Sequence, residues 1–290
     1  MIIVTGATGQ LGRQIVDQLL TRVSADRIGV SVRDPKKAQT LADQGVRVRQ
    51  GSFTDPAGLA YAFEGASQVL VISADKMGDE VVRLHRTAID AAVAAGARRI
   101  LYTSQMGADA TSHFQACRDH AATEAALDAS GVPYTSLRNG FYASSALQFL
   151  GRAAESGEVA LPADGPVAWT AHADLAEATA AILADEGRLD GPTPPLTASQ
   201  ALTFDDIADI TTALTGRAVK RITASDEEFR QQLTGHSVPA ESADQLLGIF
   251  AAARGGEFAT VDPTLATLLG REPVSLQSVL SEHLSAADGH

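Results

Sequence analysis

The first half of the chain alternates short apolar, β-branched runs with longer stretches whose apolar residues recur at helical spacing. This alternation is typical of a parallel α/β sheet. It predicts six strands, at residues 2–5, 27–32, 46–49, 68–72, 99–103 and 132–138. The helical pattern predicts helices from Gly12 and at 35–44, 56–63, 81–95 and 117–129. Because crossovers between parallel strands are right-handed, we expect a doubly wound α/β Rossmann sheet with a crevice at its carboxyl edge.

The pattern changes after about residue 150, where Gly151 to Pro166 is predicted as loop. Helices are predicted at 174–184, around Ile207 to Leu214, and at 226–233, 242–253 and 263–269, with a Pro-rich hinge at 191–195. Thr203 and Asp206 form a capping box before the second of these helices. The chain is therefore predicted to have a Rossmann domain at 1–150, with a return segment near 167–185. Residues 151–290 would form a smaller, mostly helical lobe.

Composition narrows the class of protein. The 290 residues are 45% hydrophobic and carry a formal charge of −12, with Lys and Arg scattered rather than clustered. This argues against a nucleic-acid-binding surface. Neither a disulfide framework nor a metal site is indicated, because Cys117 is the single cysteine and the histidines lack ligand-like spacing. With no signal segment and no apolar run of about 18 residues, we expect a cytoplasmic protein that does not span a membrane.

A glycine motif follows the first predicted strand, in the sequence Gly6-Ala7-Thr8-Gly9-Gln10-Leu11-Gly12. The first glycine permits a tight turn, the second lets a diphosphate approach the backbone, and the third lets helix and strand pack closely. Backbone N–H groups at the start of the following helix would face the phosphates. Because the motif lies between a strand and an amphipathic helix, it predicts a dinucleotide site rather than an ordinary glycine-rich turn.

The end of the second predicted strand indicates which dinucleotide binds. A site for NAD carries an acidic residue there, whereas this chain has Arg33, followed by Asp34, Lys36 and Lys37. A guanidinium can pair with a 2′-phosphate through two hydrogen bonds, and a lysine adds positive charge. Asp34 leaves an alternative open, because its carboxylate could accept from a ribose hydroxyl; a solvated basic cluster is the other alternative. We predict NADP(H).

Several segments together resemble the NmrA-like branch of the atypical short-chain dehydrogenases. They are Val4–Gly12, Val32–Pro35, Tyr102–Ser104, Leu137–Tyr142 and, near the C-terminus, Leu268–Pro273. The glycine motif is shared by many atypical reductases, whereas the Arg-Asn-Gly-Phe-Tyr run and the C-terminal segment are narrower. The resemblance extends over nearly the full chain and implies an NADPH-dependent oxidoreductase.

The resemblance also implies a cofactor site built from four parts of the chain. Its residues would be Gly6, Ala7, Thr8, Gly9, Gln10, Leu11, Arg33, Ser73, Ala74, Asp75, Arg138, Asn139, Gly140, Phe141 and Tyr142. The last five would lie along the nicotinamide. Trp169, on a predicted loop, would close over the cofactor. Core packing is the alternative for Phe141, Tyr142 and Trp169.

The catalytic pair of typical short-chain dehydrogenases is missing. With Glu124 and the turn at 131–134 as landmarks, the family's Tyr and Lys positions fall on Ala116 and His120. A positioned acid accelerates a reaction by roughly 10²–10⁴-fold, and a ketone needs it more than a quinone does. The absence therefore favours quinone reduction. His120, with an ordinary pKa of about 6.5, is one candidate proton donor and Ser104 is another; a histidine without a role is the alternative.

The missing pair is equally compatible with a second class of function. The NmrA-like family includes proteins that bind NADP without catalysis and act as redox sensors through a protein partner, and such sensors tend to be longer than this chain. We predict an enzyme that transfers hydride from NADPH to a small quinone-type acceptor, with the lobe at 151–290 binding that substrate. The sensor, other atypical reductases and isomerases are the alternatives, and homo-oligomerisation is left open.

Overall fold

The computed structural model describes residues 1–287 and forms two compact units. The first consists of residues 1–110, 116–139 and 172–196. The second consists of residues 111–115, 140–171 and the chain from Thr197 onward. The second segment of the first unit thus ends at Asn139, whereas the sequence predicted a domain boundary at residue 150.

The elements up to Asn139 are β1 (Ile2–Thr5), α1 (Gln10–Leu20), β2 (Ile28–Val32), α2 (Gln39–Asp43), β3 (Arg47–Gln50), α3 (Pro56–Phe63), β4 (Gln68–Val71), α4 (Asp79–Ala94), β5 (Arg99–Gln105), α5 (Gln115–Ala129) and β6 (Tyr134–Asn139). The elements that follow are β7 (Phe141–Tyr142), α6 (Ala143–Leu150), α7 (Ala153–Ser156), β8 (Glu158–Pro162), β9 (Trp169–Thr170), α8 (His172–Ala184), β10 (Gly191–Pro192), α9 (Phe204–Thr215), β11 (Lys220–Ala224), α10 (Asp226–Gly235), α11 (Ala240–Arg254), α12 (Thr264–Leu269) and α13 (Leu276–Ala287).

One parallel sheet organises the first unit. Within residues 1–287 it has seven strands in the order β10-β6-β5-β4-β1-β2-β3. β1 is an interior strand, with Ile2 paired to Ile28 of β2 on one side and to Gln68 of β4 on the other. The doubly wound Rossmann sheet is confirmed. The seventh strand, β10, lies where a hinge was predicted, because two residues are too few to show a period.

Helix α1 buries one face against the rest of the first unit. Leu11, Ile15 and Leu19 of α1 are buried at helical spacing. The helix predicted at 35–44 is instead a 3₁₀ turn, Pro35–Ala38, followed by the short α2. Asp34 caps that turn by accepting the Lys36 N–H at 3.1 Å. These helices cover the sheet and leave the carboxyl ends of its strands to carry polar loops.

The second unit is mostly helical and contains two small parallel pairs, β8 with β11 and β7 with β9. The segment 151–166, predicted as loop, holds α7 and β8. The prediction was wrong there because β8 is stabilised by pairing with a strand that lies far along the chain, which a local pattern cannot show. The capping box of Thr203 and Asp206 is confirmed at the start of α9. Among the described residues, no helix has the length and apolar character needed to cross a membrane.

Candidate cofactor site

The glycine turn joins β1 to α1. Gly6 has φ +61°, and the Gly9 N–H donates to its carbonyl oxygen at 3.0 Å. A Cβ on Gly12 would lie 2.3 Å from the Gly6 oxygen, so only glycine lets α1 begin this close to the turn. The N-terminus of α1 carries no side-chain cap from Gly9. Its positive end is therefore available to an anion.

A cavity of about 460 Å³ lies beside this turn in the first unit. Of the residues predicted to bind the cofactor, Gly6, Thr8, Gly9, Arg33, Ser73, Ala74 and Asp75 line it. Ala7 and Leu11 are buried beneath the turn, and the exposed Gln10 begins α1. Further lining residues, which the sequence did not indicate, come from β2, from the loop after β3 and from the region around the start of α4. They are Ser31, Gly51, Ser52, Phe53, Thr54, Lys76, Glu80 and Leu84. The position of the β3 loop at the same carboxyl edge could have identified several of them.

The end of β2 brings positive charge to the cavity. Arg33 is exposed and lines it. Its own carbonyl oxygen accepts from the Gln50 side chain at 3.2 Å, which ties β2 to the end of β3. Asp34 is occupied by the Lys36 N–H at 3.1 Å. Arg33 therefore places a guanidinium in the cavity lining, directly after the end of β2.

The loop between β4 and α4 is fixed by side chains from other elements. The Ile72 N–H donates to Thr5 Oγ1 and the Ser73 N–H donates to Thr103 Oγ1, both at 2.9 Å. The Ala74 N–H donates to His85 Nε2 at 3.0 Å. The Gly78 N–H donates to Asp119 Oδ2 at 2.7 Å. The loop that supplies three predicted cofactor residues is thus hydrogen-bonded to side chains of four other residues.

Two imidazoles beneath this loop are neutral. Burial, and to a lesser degree the neighbouring His120, lowers the pKa of His85 to about 3. His120 is half-buried, and its partial removal from water lowers its pKa to about 4. Burial also raises the pKa of the Tyr102 phenol, so its O–H donates to His120 Nδ1 at 2.7 Å and the imidazole keeps its proton on Nε2. The premise that His120 titrates near its ordinary pKa is therefore wrong.

Ser104 lies in a buried polar cluster around Glu124. Its hydroxyl donates to Glu124 Oε1 at 2.8 Å, as does the hydroxyl of Ser136. Arg138 reaches both carboxylate oxygens, with Nε at 3.1 Å and Nη2 at 2.7 Å. The hydrogen bond to Glu124 raises the pKa of Arg138. The proton of the Ser104 hydroxyl is thus committed to Glu124, and Arg138 is oriented by a two-point ion pair.

Asn139 ends β6 with an unsatisfied carboxamide. Its side chain is 1% exposed, and within residues 1–287 neither its Oδ1 nor its Nδ2 has a hydrogen-bond partner. Leaving a buried polar atom unpaired costs about 1–3 kcal/mol. Asn139 lies in the predicted nicotinamide segment, and a polar partner would remove the cost of its unpaired carboxamide.

The rest of that segment belongs to the second unit. Gly140 is buried, and Tyr142 is half-buried at the start of α6. Phe141 and Trp169 pair in β7 and β9, with ring centroids 5.4 Å apart. Trp169 is 2% exposed, and its indole N–H donates to the Leu202 oxygen at 3.1 Å. The predicted loop position of Trp169 is wrong, because the residue lies in a buried strand and packs in an aromatic cluster.

No metal centre is formed by the described residues: no three His, Cys, Asp or Glu side chains in 1–287 are grouped to hold an ion. Cys117 is buried, and its thiol lies 3.1 Å from Gln105 Oε1.

Comparison with known proteins places this geometry among reductases. A model of the NmrA-like family matches residues 1–278. The chain is 36% identical over 282 residues to quinone oxidoreductase 2 of Escherichia coli (strain K12), covering 97% of this chain and 98% of that protein.

Two solved structures share the fold. The structure of an NADPH-dependent quinone oxidoreductase from Escherichia coli complexed with NADPH matches with a TM-score of 0.92 and 35% identity, over 98% of this chain and 100% of that one. Citrobacter sp. triphenylmethane reductase complexed with NADP(H) matches with a TM-score of 0.88 and 34% identity, over 97% and 99% of the two chains.

Proposed function

Because the chain belongs to the NmrA-like family, we propose that it is an NADPH-dependent oxidoreductase that reduces quinones. The observation that carries the proposal is the cavity beside the glycine turn, with Arg33 at the end of β2 in its lining. A relative at 36% identity over 97% of the chain is a quinone oxidoreductase, which supports the choice of acceptor.

The residues of the first unit fit NADP(H). The uncapped start of α1 suits a diphosphate, and the Gly9 position, whose added Cβ would approach the Gly6 oxygen to 3.3 Å, keeps the backbone open to it. Arg33 suits a 2′-phosphate. The unpaired carboxamide of Asn139 offers both a donor and an acceptor to an amide such as that of nicotinamide. When bound, NADPH supplies the hydride.

The overall reaction consumes a quinone, NADPH and one proton and yields a hydroquinone and NADP⁺. The protein holds the reactants in place, and it need not provide a positioned acid because a hydroquinone anion is a weaker base than the alkoxide that a ketone would give. His120, with a pKa lowered to about 4, is not an imidazolium near neutral pH. Tyr102, with its pKa raised, keeps its proton. We infer that the final proton comes from water.

The catalytic role of Ser104 and His120 is correspondingly modest in this proposal. Ser104 helps to fix Glu124, and through it Arg138. His120, held by Tyr102, can donate a hydrogen bond from Nε2 without changing its charge. The substrate-binding role of residues 151–290 and the cytoplasmic location remain predictions.

The decisive experiment is NADPH oxidation by the full-length protein with a small benzoquinone or naphthoquinone, with NADH as the comparison. We expect turnover well above the uncatalysed rate, with NADPH preferred. Arg33→Ala should raise the KM for NADPH by roughly 10–100-fold, the worth of hydrogen bonds to a charged group, and leave the KM for NADH within about twofold.

Arg86→Ala is the matched control, because it removes an exposed cation of the same unit that is outside the cavity lining. Equal losses for the two dinucleotides in Arg33→Ala would contradict the 2′-phosphate assignment. Tight NADPH binding without turnover on any quinone would contradict the enzyme and favour a redox sensor.

A further inference from the structure

The segment from Ala74 to Gly78 is anchored at both ends by buried or nearly buried side chains. His85 Nε2 accepts the Ala74 N–H at 3.0 Å, and Asp119 Oδ2 accepts the Gly78 N–H at 2.7 Å. Between these anchors, Asp75 and Lys76 line the cavity. The two anchors come from different helices, α4 and α5, so the conformation of this loop depends on both.

His85 is itself held tightly. It is 1% exposed, and its ring packs edge-on against Tyr102, with centroids 5.2 Å apart, and against Phe53, at 6.3 Å. Because Nε2 accepts the Ala74 N–H, the neutral ring carries its proton on Nδ1. That proton faces Thr123 Oγ1 at 3.0 Å. Both nitrogens of the imidazole therefore have a hydrogen-bond partner.

An apolar residue of similar size could fill the same space, so packing alone does not explain an imidazole here. What the imidazole adds is an acceptor for Ala74 and a donor for Thr123. Without the acceptor, the Ala74 N–H would lose its partner, and the loop would rearrange to satisfy it or would bear a cost of about 1–3 kcal/mol. Phe53, which touches the same ring, also lines the cavity.

We propose that His85 and Asp119 are positioning residues for the cofactor, which hold the Ala74–Gly78 loop in the shape that receives the dinucleotide. This inference rests on the proposed function, since it takes the cavity as the NADPH site. The two anchors order the loop before the cofactor binds, which lowers the entropic cost of binding. They therefore govern the affinity for NADPH and leave the rate of hydride transfer unchanged.

The test compares His85→Asn with His85→Gln in the full-length protein. The glutamine carbonyl can reach the position of Nε2 and accept from Ala74, whereas the shorter asparagine can serve only the Thr123 side. Three quantities are measured: the Kd for NADPH by fluorescence titration, kcat and KM with a quinone, and deuterium uptake of the peptide that spans residues 73–78. We expect His85→Asn to raise the Kd about tenfold and to speed exchange in that peptide, with kcat within twofold of wild type. His85→Gln should restore all three to near wild type.

The inference is overturned if His85→Asn binds NADPH like wild type and its loop amides exchange at the wild-type rate. It is also overturned if asparagine and glutamine lower kcat equally. Should His85→Asn fail to fold, Asp119→Ala and its control Asp119→Asn test the other anchor by the same measurements. If wild type binds no NADPH, the proposed function fails, while the exchange data still report whether these side chains hold the loop.

Discussion

The protonation states of His85 and His120 are set by their surroundings in the fold. In water an imidazole is half protonated near pH 6.5, but burial lowers the pKa of these two to about 3 and about 4. Their hydrogen bonds then fix which nitrogen carries the proton. A residue that the sequence offers as an acid thus becomes, in the fold, a neutral hydrogen-bonding group.

The depressed pKa of His85 has a consequence for stability. The unfolded chain takes up a proton below about pH 6.5, whereas the folded protein does not until the pH is near 3, so this stabilisation is present above pH 6.5 and is lost as the pH falls through that window. We expect the free energy of unfolding of wild type to fall more steeply between pH 6.5 and 4.5 than that of His85→Gln. The difference in slope should approach, at most, about 1.4 kcal/mol per pH unit.

Urea unfolding at three pH values measures these slopes, and carboxyl groups cancel because they titrate in both proteins. His283→Gln, a change at an exposed histidine, is the control and should keep the wild-type slope. Parallel slopes for wild type and His85→Gln would mean that His85 becomes protonated in the folded protein at ordinary pH.

At the scale of elements, the contact between α1 and the glycine turn is a very close one. A Cβ at Gly12 would lie 2.3 Å from the Gly6 oxygen and 2.9 Å from the Ile72 side chain. The first of these neighbours is backbone and cannot move aside without shifting the turn. We expect Gly12→Ala to destabilise the protein by about 3 kcal/mol or more and to abolish measurable NADPH binding.

Thermal unfolding and NADPH titration test this expectation. Gly235→Ala is the matched control, since that glycine lies in α10 with nothing within 4 Å of an added Cβ and should gain up to about 1 kcal/mol from helix propensity. A Gly12→Ala protein with wild-type stability and affinity would show that α1 can retreat from the turn.

The same elements show how far the sequence can predict the site. Gly6, Gly9 and Arg33 could be identified because a motif places them at the ends of strands whose periodicity is clear. His85 and Asp119 could not, because they reach the loop from helices whose register against it depends on tertiary packing. Trp169 was misplaced for a related reason: β9 has two residues and exists through its pairing with β7. Short elements that depend on distant partners, β8 and β10 among them, leave no local period to detect.

For the whole molecule, the dinucleotide poses an electrostatic problem. The protein carries a formal charge of −12, and NADPH is a polyanion, so the net charges repel. We therefore propose that the attraction is local and comes from the N-terminus of α1 and from Arg33. Because salt screens charge interactions beyond about 10 Å at ordinary ionic strength, these near groups outweigh the distant negative surface.

This local recognition predicts how the cofactor stabilises the fold. A ligand that binds only the native state at 100 times its Kd adds about 2.7 kcal/mol, which for a chain of this size raises the Tm by about 5 °C. We expect NADPH to produce such a shift, NADH at the same concentration to produce a much smaller one, and Arg33→Ala to lose the difference. Equal shifts for both dinucleotides would mean that the 2′-phosphate is not recognised. Because the shift reports binding without turnover, comparing it with the quinone assay separates an enzyme from a sensor that uses the same site.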